Sequence, residues 1–492
     1  MNRETKMKNG KVLFVIHDVY QDFNNFPLGI AYLASMLKVA GAHVDIYCQD
    51  LYHYSNNELA CYLDRNEYDL IGVGFMAARF KETILELCRV INAHKKNAWL
   101  VLGGHGPSPI PEYMLDTTQA DIVAIGEAEH TIIELLEAKI NGTHDAGKIT
   151  GIAWRLKNKV VVNKRRPRFL KLDEMPFPAW ESFPFDDYSN SIKILDEQPP
   201  HEKSLVFTSA RGCINECNFC YRMEKGIRLR SIDNVIEELR ILTGRYRIHY
   251  FQIFDEMFIL NKKRVLEFEE KLAKNKLEIR YFCDARVDIL DKEIVESLKR
   301  SGCRFMNFGL ESADNSVLRQ MNKNTTVEQN IAALELVLSC GGIGVGLNIL
   351  WGNIGDNEET LWAGVELIKK YNSYKQIRTI RPPTPYPGCQ LYYTAIEQGL
   401  LNGPADFFDK FVNSDLYLVN FTQLPLKRYY ELLFQANKEL ITDHYRHTTH
   451  DMEEAAHAIE QFRDLYNGKN QKFRGIRKYS KEEKAMLKGA EK

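Results

Sequence analysis

The stretch Arg211-Gly212-Cys213-Ile214-Asn215-Glu216-Cys217-Asn218-Phe219-Cys220-Tyr221 decides how this chain is read. Three cysteines spaced C-x3-C-x2-C lie within eight residues, directly after the apolar run Ser204-Leu205-Val206-Phe207-Thr208. That order predicts a strand feeding a tight metal-binding loop. Three thiolates on one short loop can hold three irons of a 4Fe–4S cluster, which normally takes four protein thiolates. No fourth cysteine lies nearby in sequence, so one iron stays open to another ligand. A structural zinc site is the competing reading. It needs four ligands, commonly two distant C-x2-C pairs, and only one such pair is present.

Composition bounds the rest. At 492 residues the chain has room for two or three domains with full cores. Lys plus Arg number 65 and Asp plus Glu 66, a balance that argues against a surface built to bind nucleic acid. A hydrophobic fraction of 45% and a charged fraction of 27% describe an ordinary soluble protein. No apolar run approaches the ~20 residues needed to cross a bilayer, so no membrane partner is expected. The polar first ten residues lack the core of a secretory leader. A cytoplasmic setting follows as the expectation, with the cysteines as thiols or ligands rather than disulfides.

Upstream of the cysteines, apolar runs alternate with helical patterns. Val12-Leu13-Phe14-Val15-Ile16 predicts a buried strand, and Pro27 opens a helix that Gly41 ends. Val44-Asp45-Ile46-Tyr47, Leu70-Ile71-Gly72-Val73-Gly74, Trp99-Leu100-Val101-Leu102-Gly103-Gly104 and Ile122-Val123-Ala124-Ile125-Gly126-Glu127 read as further strands, several running into glycines. The alternation predicts a doubly wound, Rossmann-like α/β domain over residues 1–147, with ligands at the carboxyl ends of its strands. Residues 148–200 read as a linker with one hairpin, followed by the extended crossing Pro176-Phe177-Pro178-Ala179-Trp180.

The cysteine loop, with the aromatic Phe219 directly before its third cysteine, resembles the signature of the radical S-adenosylmethionine (SAM) superfamily. There the open iron binds the amino and carboxylate groups of SAM. Phe26-Pro27-Leu28-Gly29, Gly103-Gly104-His105-Gly106-Pro107 and Gly126-Glu127-Ala128-Glu129 resemble the N-terminal cobalamin-binding domain of many such proteins. The resemblance implies cobalamin contacts from Leu28, Gly29, Gly103, Gly104, His105, Gly126 and Glu127. Glycines let a backbone approach a flat ligand closely, although glycine turns alone also suit a Rossmann-like sheet without a cofactor. Cobalamin domains of the methionine-synthase type carry a D-x-H-x-x-G motif whose His ligates cobalt. Here the loop reads His17-Asp18-Val19-Tyr20-Gln21-Asp22, with Tyr20 where that His would stand. The cobalt is therefore expected to lack a protein imidazole.

From Ser204 the βα rhythm returns, and the resemblance implies a (β/α)6 partial TIM barrel over residues 201–401. Its strands run through Tyr250-Phe251-Gln252-Ile253-Phe254, Ile279-Arg280-Tyr281-Phe282-Cys283, Phe305-Met306-Asn307-Phe308-Gly309, Val345-Gly346-Leu347-Asn348-Ile349-Leu350 and Ile377-Arg378-Thr379-Ile380. Asp255 and Glu256 then match the acids that contact the SAM ammonium, Arg286 its carboxylate, and Glu311 and Ser312 its ribose. Gly352-Asn353-Ile354-Gly355-Asp356 matches the adenine turn, with Ile354 and Asp356 in place of the usual proline and glutamate. Cys213, Cys217 and Cys220 are the implied cluster ligands, and Cys389 reads as a small packed residue. Residues 402–492 read as a C-terminal helical region capping the barrel mouth, with a basic tail.

The resemblance implies a cobalamin-dependent radical SAM methyltransferase that cleaves SAM to a 5′-deoxyadenosyl radical. The radical takes hydrogen from an unactivated carbon or phosphorus centre of a small-molecule or peptide substrate, and methylcobalamin supplies the methyl group. A flavodoxin or ferredoxin is the implied electron donor. The same motifs also serve oxidative cyclases, dehydratases and ring-rearranging enzymes, and a cluster-bearing redox sensor is the reading from another class.

Overall fold

The structure is a computed structural model that describes residues 10–19, 25–76, 80–142, 146–157, 159–413, 416–417 and 419–467. Tyr20, Gln21, Asp22 and the basic tail from residue 468 lie outside the described residues. Contacts divide the chain into two units, Met1–Ser191 with Tyr221–Lys225, and Ile192–Cys220 with Gly226–Lys492. Among the described residues, no helix is long and apolar enough to cross a membrane.

In the first unit, β1 (Lys11–Ile16), β2 (His43–Cys48), β3 (Leu70–Gly74), β4 (Trp99–Gly103) and β5 (Ile122–Ala124) form a parallel sheet ordered β2-β1-β3-β4-β5. Val12, Leu13, Phe14 and Val15 are all buried, which explains why β1 reads as one apolar run rather than an alternating one. Between the strands run α1 (Leu28–Val39), α2 (Asn56–Arg65), α3 (Leu85–His94), α4 (Pro111–Thr118) and α5 (Glu129–Ile140). Pro27 caps α1, and Gly41, at φ 90°, turns the chain into β2. Such a strand order reverses direction between β1 and β3, and ligands of doubly wound sheets bind at that crevice.

The hairpin of the expected linker belongs to this first sheet. β6 (Ile152–Leu156) pairs antiparallel with β5, and β7 (Lys159–Val162) pairs with β6. β5 is only three residues long, and the hairpin covers an edge that would otherwise present unpaired backbone. The proline-rich crossing packs here too. Ala179 N–H donates to the Ala31 carbonyl at 3.0 Å, and Phe183, Phe185 and Tyr188 ring Phe26 at centroid distances of 4.9, 5.9 and 5.8 Å. The unit therefore runs to Ser191.

The second unit carries a parallel sheet of β8 (Lys203–Phe207), β9 (Ile248–Ile253), β10 (Arg280–Ala285), β11 (Cys303–Glu311) and β12 (Gly344–Ile349), in spatial order β12-β11-β10-β9-β8. Helices α6 (Ile232–Tyr246), α7 (Lys262–Lys274), α8 (Lys292–Arg300), α9 (Val327–Cys340) and α10 (Glu358–Tyr371) link or follow them. Their N-caps are readable in sequence. Ser231, Asn261, Asp291, Thr326 and Asn357 each accept a backbone N–H of the first turn.

The sixth strand departs from expectation. Residues 377–380 form no strand, and one parallel bridge, Leu350 to Arg381, continues the sheet past β12. Pro382 and Pro383 have no N–H to continue a ladder. One residue earlier, the Asn437 side chain takes over both backbone groups of Ile380, accepting at 2.6 Å and donating at 2.9 Å. Asn437 lies on α11 (Leu426–His447), which packs on α10 and on α12 (Met452–Tyr466). The C-terminal helices thus run along the barrel wall at its sixth segment. The first turn of α11 reaches the strand ends, where Tyr429 stacks on Trp351 at 4.7 Å.

Candidate active site

The cysteine loop leaves β8 through Ser209 and closes on itself by a two-residue antiparallel ladder, Ala210 with Leu229 and Arg211 with Arg228. Gly212, at φ 87°, makes the turn into Cys213. Within the loop, Cys213 Sγ accepts from Asn215 N and Nδ2, both at 3.4 Å. Cys217 and Cys220 share a hydrogen bond. That bond, followed by nearby Lys323, brings Cys217 down to about 7 against the opposing effect of burial. Cys213 and Cys217 are half-buried and Cys220 is exposed.

Asn218, which the motif reading passed over, anchors the loop. It is 8% exposed. Its N–H donates to Met321 O at 2.9 Å, and its carbonyl accepts from Leu391 N at 2.8 Å. Its side chain donates to Gln320 O at 3.0 Å and accepts from Asn353 Nδ2 at 3.1 Å. With the Nδ2 bond to Asn353 Oδ1 at 3.3 Å, bonds to three separate segments fix the backbone between the second and third thiols. Phe219 beside it is half-buried.

The structure separates the paired acids. Asp255 is 1% exposed, and its oxygens accept from Ser209 N at 2.7 Å, Ser209 Oγ at 2.5 Å and Ala210 N at 3.1 Å. Burial pushes it up to about 6, with the Ser209 and Ala210 bonds opposing. It is a brace for the start of the cysteine loop, not an open carboxylate. Glu256 is exposed and accepts from Gly212 N at 2.8 Å, leaving its other oxygen at the loop's edge.

Arg286, two residues past the inward-facing Asp284, forks onto Asp288 at 2.9 and 2.7 Å. Glu311 takes the left-handed φ of 65°, unusual for a side chain that size, and its Oε1 accepts from Lys323 at 3.0 Å. Gly309 allows that pair, since a Cβ there would meet Lys323 Nζ at 2.9 Å. Ser312 is buried and accepts from Asp314 N at 3.1 Å. Gly352, at φ 111°, leaves room for Tyr429, whose hydroxyl donates to Trp351 O at 2.8 Å. Asp356 closes this turn by accepting from Gly352 N and Asn353 N at 2.9 Å each, and burial pushes it up to about 6. Cys389 is 1% exposed and packed, away from any exposed surface.

This donor set suits a cluster. Among the described residues no three His, Cys, Asp or Glu side chains converge as ligands of one ion. A cluster does not require convergence, because each thiolate bonds a different iron. The loop supplies three thiols, fixed backbone, and the cations of Lys323 and Arg286 near the thiol charge.

In the first unit the implied cobalamin residues fall into two groups. Gly104, at φ 97°, and Gly126, at φ 83°, have internal reasons to be glycine, since a Cβ would meet Phe75 O or Glu224 Oε1 at 2.8 Å. Gly29 has nothing within 4 Å of a notional Cβ, and Gly103 has only the Ala124 methyl at 4.0 Å. Neither takes a left-handed φ, so the fold itself does not demand glycine there. That open cradle fits a large flat ligand. His105 meets Tyr221 edge-on at 5.9 Å, Leu28 packs beside Tyr32, and Glu127 lines a small pocket with Glu129, His130 and Arg166.

Comparison with known proteins agrees with this geometry. The family model of the Radical SAM superfamily matches residues 207–368, and that of the B12 binding domain matches residues 15–136. An uncharacterized methyltransferase of Pyrococcus horikoshii is 31% identical over 384 residues, covering 76% of this chain and 79% of the relative. The anaerobic magnesium-protoporphyrin IX monomethyl ester cyclase of Rubrivivax gelatinosus is 27% identical over 74% of this chain and 65% of its own. The solved radical SAM methyltransferase TsrM of Kitasatospora setae, with cobalamin and a 4Fe–4S cluster bound, shares the fold with a TM-score of 0.71. That match is 17% identical and covers 89% of each chain.

Proposed function

The chain belongs to the cobalamin-binding radical SAM family, and from that premise we propose that it methylates an unactivated carbon or phosphorus centre of a small-molecule or peptide substrate. The observation that carries the proposal is the Asn218-anchored loop, which presents three thiols beside a row of polar strand ends. Cys213, Cys217 and Cys220 hold the cluster. With cluster, SAM and cobalamin bound, these groups supply reductive cleavage of SAM to a 5′-deoxyadenosyl radical and a transferable methyl group.

The chain's residues position and shield. Glu256 offers its free oxygen to the SAM ammonium, and Asp255 keeps the loop beside it rigid. Arg286 has donors left beyond its Asp288 fork for the SAM carboxylate. Glu311 and Ser312 serve the ribose, and the closed Gly352 turn offers backbone to the adenine. Leu28, Gly29, Gly103, Gly104, His105, Gly126 and Glu127 line the cobalamin cradle. A flavodoxin or ferredoxin donates the electron.

A second reading is oxidative cyclisation without methyl transfer, which the cyclase among the relatives favours. Product accounting separates the two. A methyltransferase uses SAM twice, so each methylated product comes with one 5′-deoxyadenosine and one S-adenosylhomocysteine. Substrate-dependent 5′-deoxyadenosine without S-adenosylhomocysteine supports the cyclase reading instead.

A further inference from the structure

The inner wall of the second unit's sheet is polar where a barrel is normally packed. Strand register sets Asp284 of β10 beside Asn307 of β11, and Asn307 beside Gly346 of β12. Their outward neighbours Cys283, Met306 and Val345 are buried at 0–1% exposure. Alternation therefore turns Asp284, Asn307 and Gly346 inward as one layer. Closed barrels fill such layers with Val, Ile and Leu. Here Phe254 is 53% exposed, and Asp284 and Asn348 are also exposed, so the inner face is open.

Arg378 enters this layer from the sixth segment. Its Nη2 donates to Gln376 Oε1 at 2.7 Å and Asn307 Oδ1 at 3.3 Å, and Nη1 donates to Asn348 Oδ1 at 3.4 Å. The guanidinium carbon sits 5.3 Å from the Phe305 ring centroid. Gly346 makes the space, since a Cβ there would strike both Arg378 and Asn307. The residue is 8% exposed, and its Nε is buried with no acceptor.

Every acceptor named for this guanidinium is a neutral amide oxygen. A buried cation normally has a carboxylate against it, because desolvation otherwise costs several kcal/mol. Burial, then the nearby Arg381 charge, push Arg378 down to about 10, and Asp284 offsets only part of that. Asp284's own hydrogen bond goes to Asn307. The site has an arginine fork, two asparagines, an open side and no carboxylate among the hydrogen-bond acceptors of the guanidinium.

We propose that Arg378, flanked by Asn307 and Asn348, is the substrate-recognition residue of the barrel interior and binds an oxyanion of the substrate, a carboxylate or a phosphate ester. Phe254 and Phe282 on the same inner face suit an apolar body attached to that anion. The anchor lies one layer inward from Arg286 and Asn348, below the strand ends assigned to SAM. The inference rests on reading this barrel as the catalytic domain.

The test uses the full-length chain, anaerobically reconstituted, as wild type and as Arg378→Gln. Melting temperature is compared in chloride, acetate and inorganic phosphate at matched ionic strength, and iron is counted in each protein. Wild type should melt roughly 2–4 °C higher in acetate or phosphate at about tenfold saturation, and the more effective anion names the class. Arg378→Gln should keep its iron, melt at or above wild type in chloride, and lose the anion-dependent rise. An unpaired buried charge predicts that gain, whereas a merely structural arginine predicts a loss. Equal rises in both proteins would mean general salting and overturn the site. No rise in wild type, or a variant that loses iron and melts lower, overturns it as well. Wild-type SAM cleavage is measured separately. Its absence overturns the enzymatic reading, while a shared anion response overturns only the oxyanion site.

Discussion

Asp255 and Glu256 are neighbours in sequence and separate in function. Removing the Asp255 carboxylate by Asp255→Ala leaves Ser209 N, Ser209 Oγ and Ala210 N buried without an acceptor, at a cost of about 2–4 kcal/mol. That variant should lose thermal stability and most of its iron together. Glu256→Gln changes an exposed group and should hold stability within ~0.5 kcal/mol and keep its iron. It should weaken SAM binding at least about tenfold, read by equilibrium dialysis, since a charge-assisted bond becomes a neutral one. Equal effects from the two changes would sink the division of roles. The pair also shows why residue roles were only partly legible in the sequence. Both acids sit after a strand, but only the fold shows that one carboxylate is spent on Ser209. Asn218 and Arg378 left no local signal, because partners that fix them lie far along the chain: Asn218 and Asn353 are 135 residues apart, and Arg378 and Asn307 are 71 apart.

Strand ends and connections carry the next set of expectations. Gly103→Ala adds a methyl into open space and should leave the apoprotein's melting point almost unchanged while lowering cobalamin affinity. Gly104→Ala forces a left-handed φ on alanine against Phe75 O and should destabilise by more than ~2 kcal/mol. If Gly103→Ala binds cobalamin as wild type does, the cradle is misplaced. Bound cob(II)alamin should show no nitrogen coupling from a protein His in electron paramagnetic resonance. Elsewhere in this unit, the Tyr188 hydroxyl donates to Asp50 at 2.9 and 3.0 Å, tying the proline-rich crossing to the first sheet. Burial pushes Asp50 up to about 7, with the Tyr188 bond opposing. The folded state then holds a proton that the unfolded chain releases near pH 4, so stability falls as pH rises from about 4 to 7. Asp50→Asn should flatten that slope in denaturant melts, and an unchanged slope would count against the assignment. The sequence shows the strands and caps here because they are local patterns. It does not show that the hairpin joins the first sheet, or that Asn437 relieves the sixth strand of its ladder, since both depend on distant partners.

At the scale of the molecule, two units that each suit one cofactor occur in a single chain, and the C-x3-C-x2-C loop was legible because its three ligands sit within eight residues. In the C-terminal region α11 packs on α10 and, through Asn437, on the sixth segment, and its first turn reaches Trp351 at the strand ends. The central claim is that Cys213, Cys217 and Cys220 are the sole protein ligands of the group that cleaves SAM. Iron content and SAM cleavage, measured together in wild type and in a Cys213→Ala, Cys217→Ala, Cys220→Ala triple variant, test it most directly. Anaerobically reconstituted wild type should hold about four irons per chain and release 5′-deoxyadenosine under reduction, and the triple variant should do neither. A triple variant that retains about four irons, or still releases 5′-deoxyadenosine, would contradict the account.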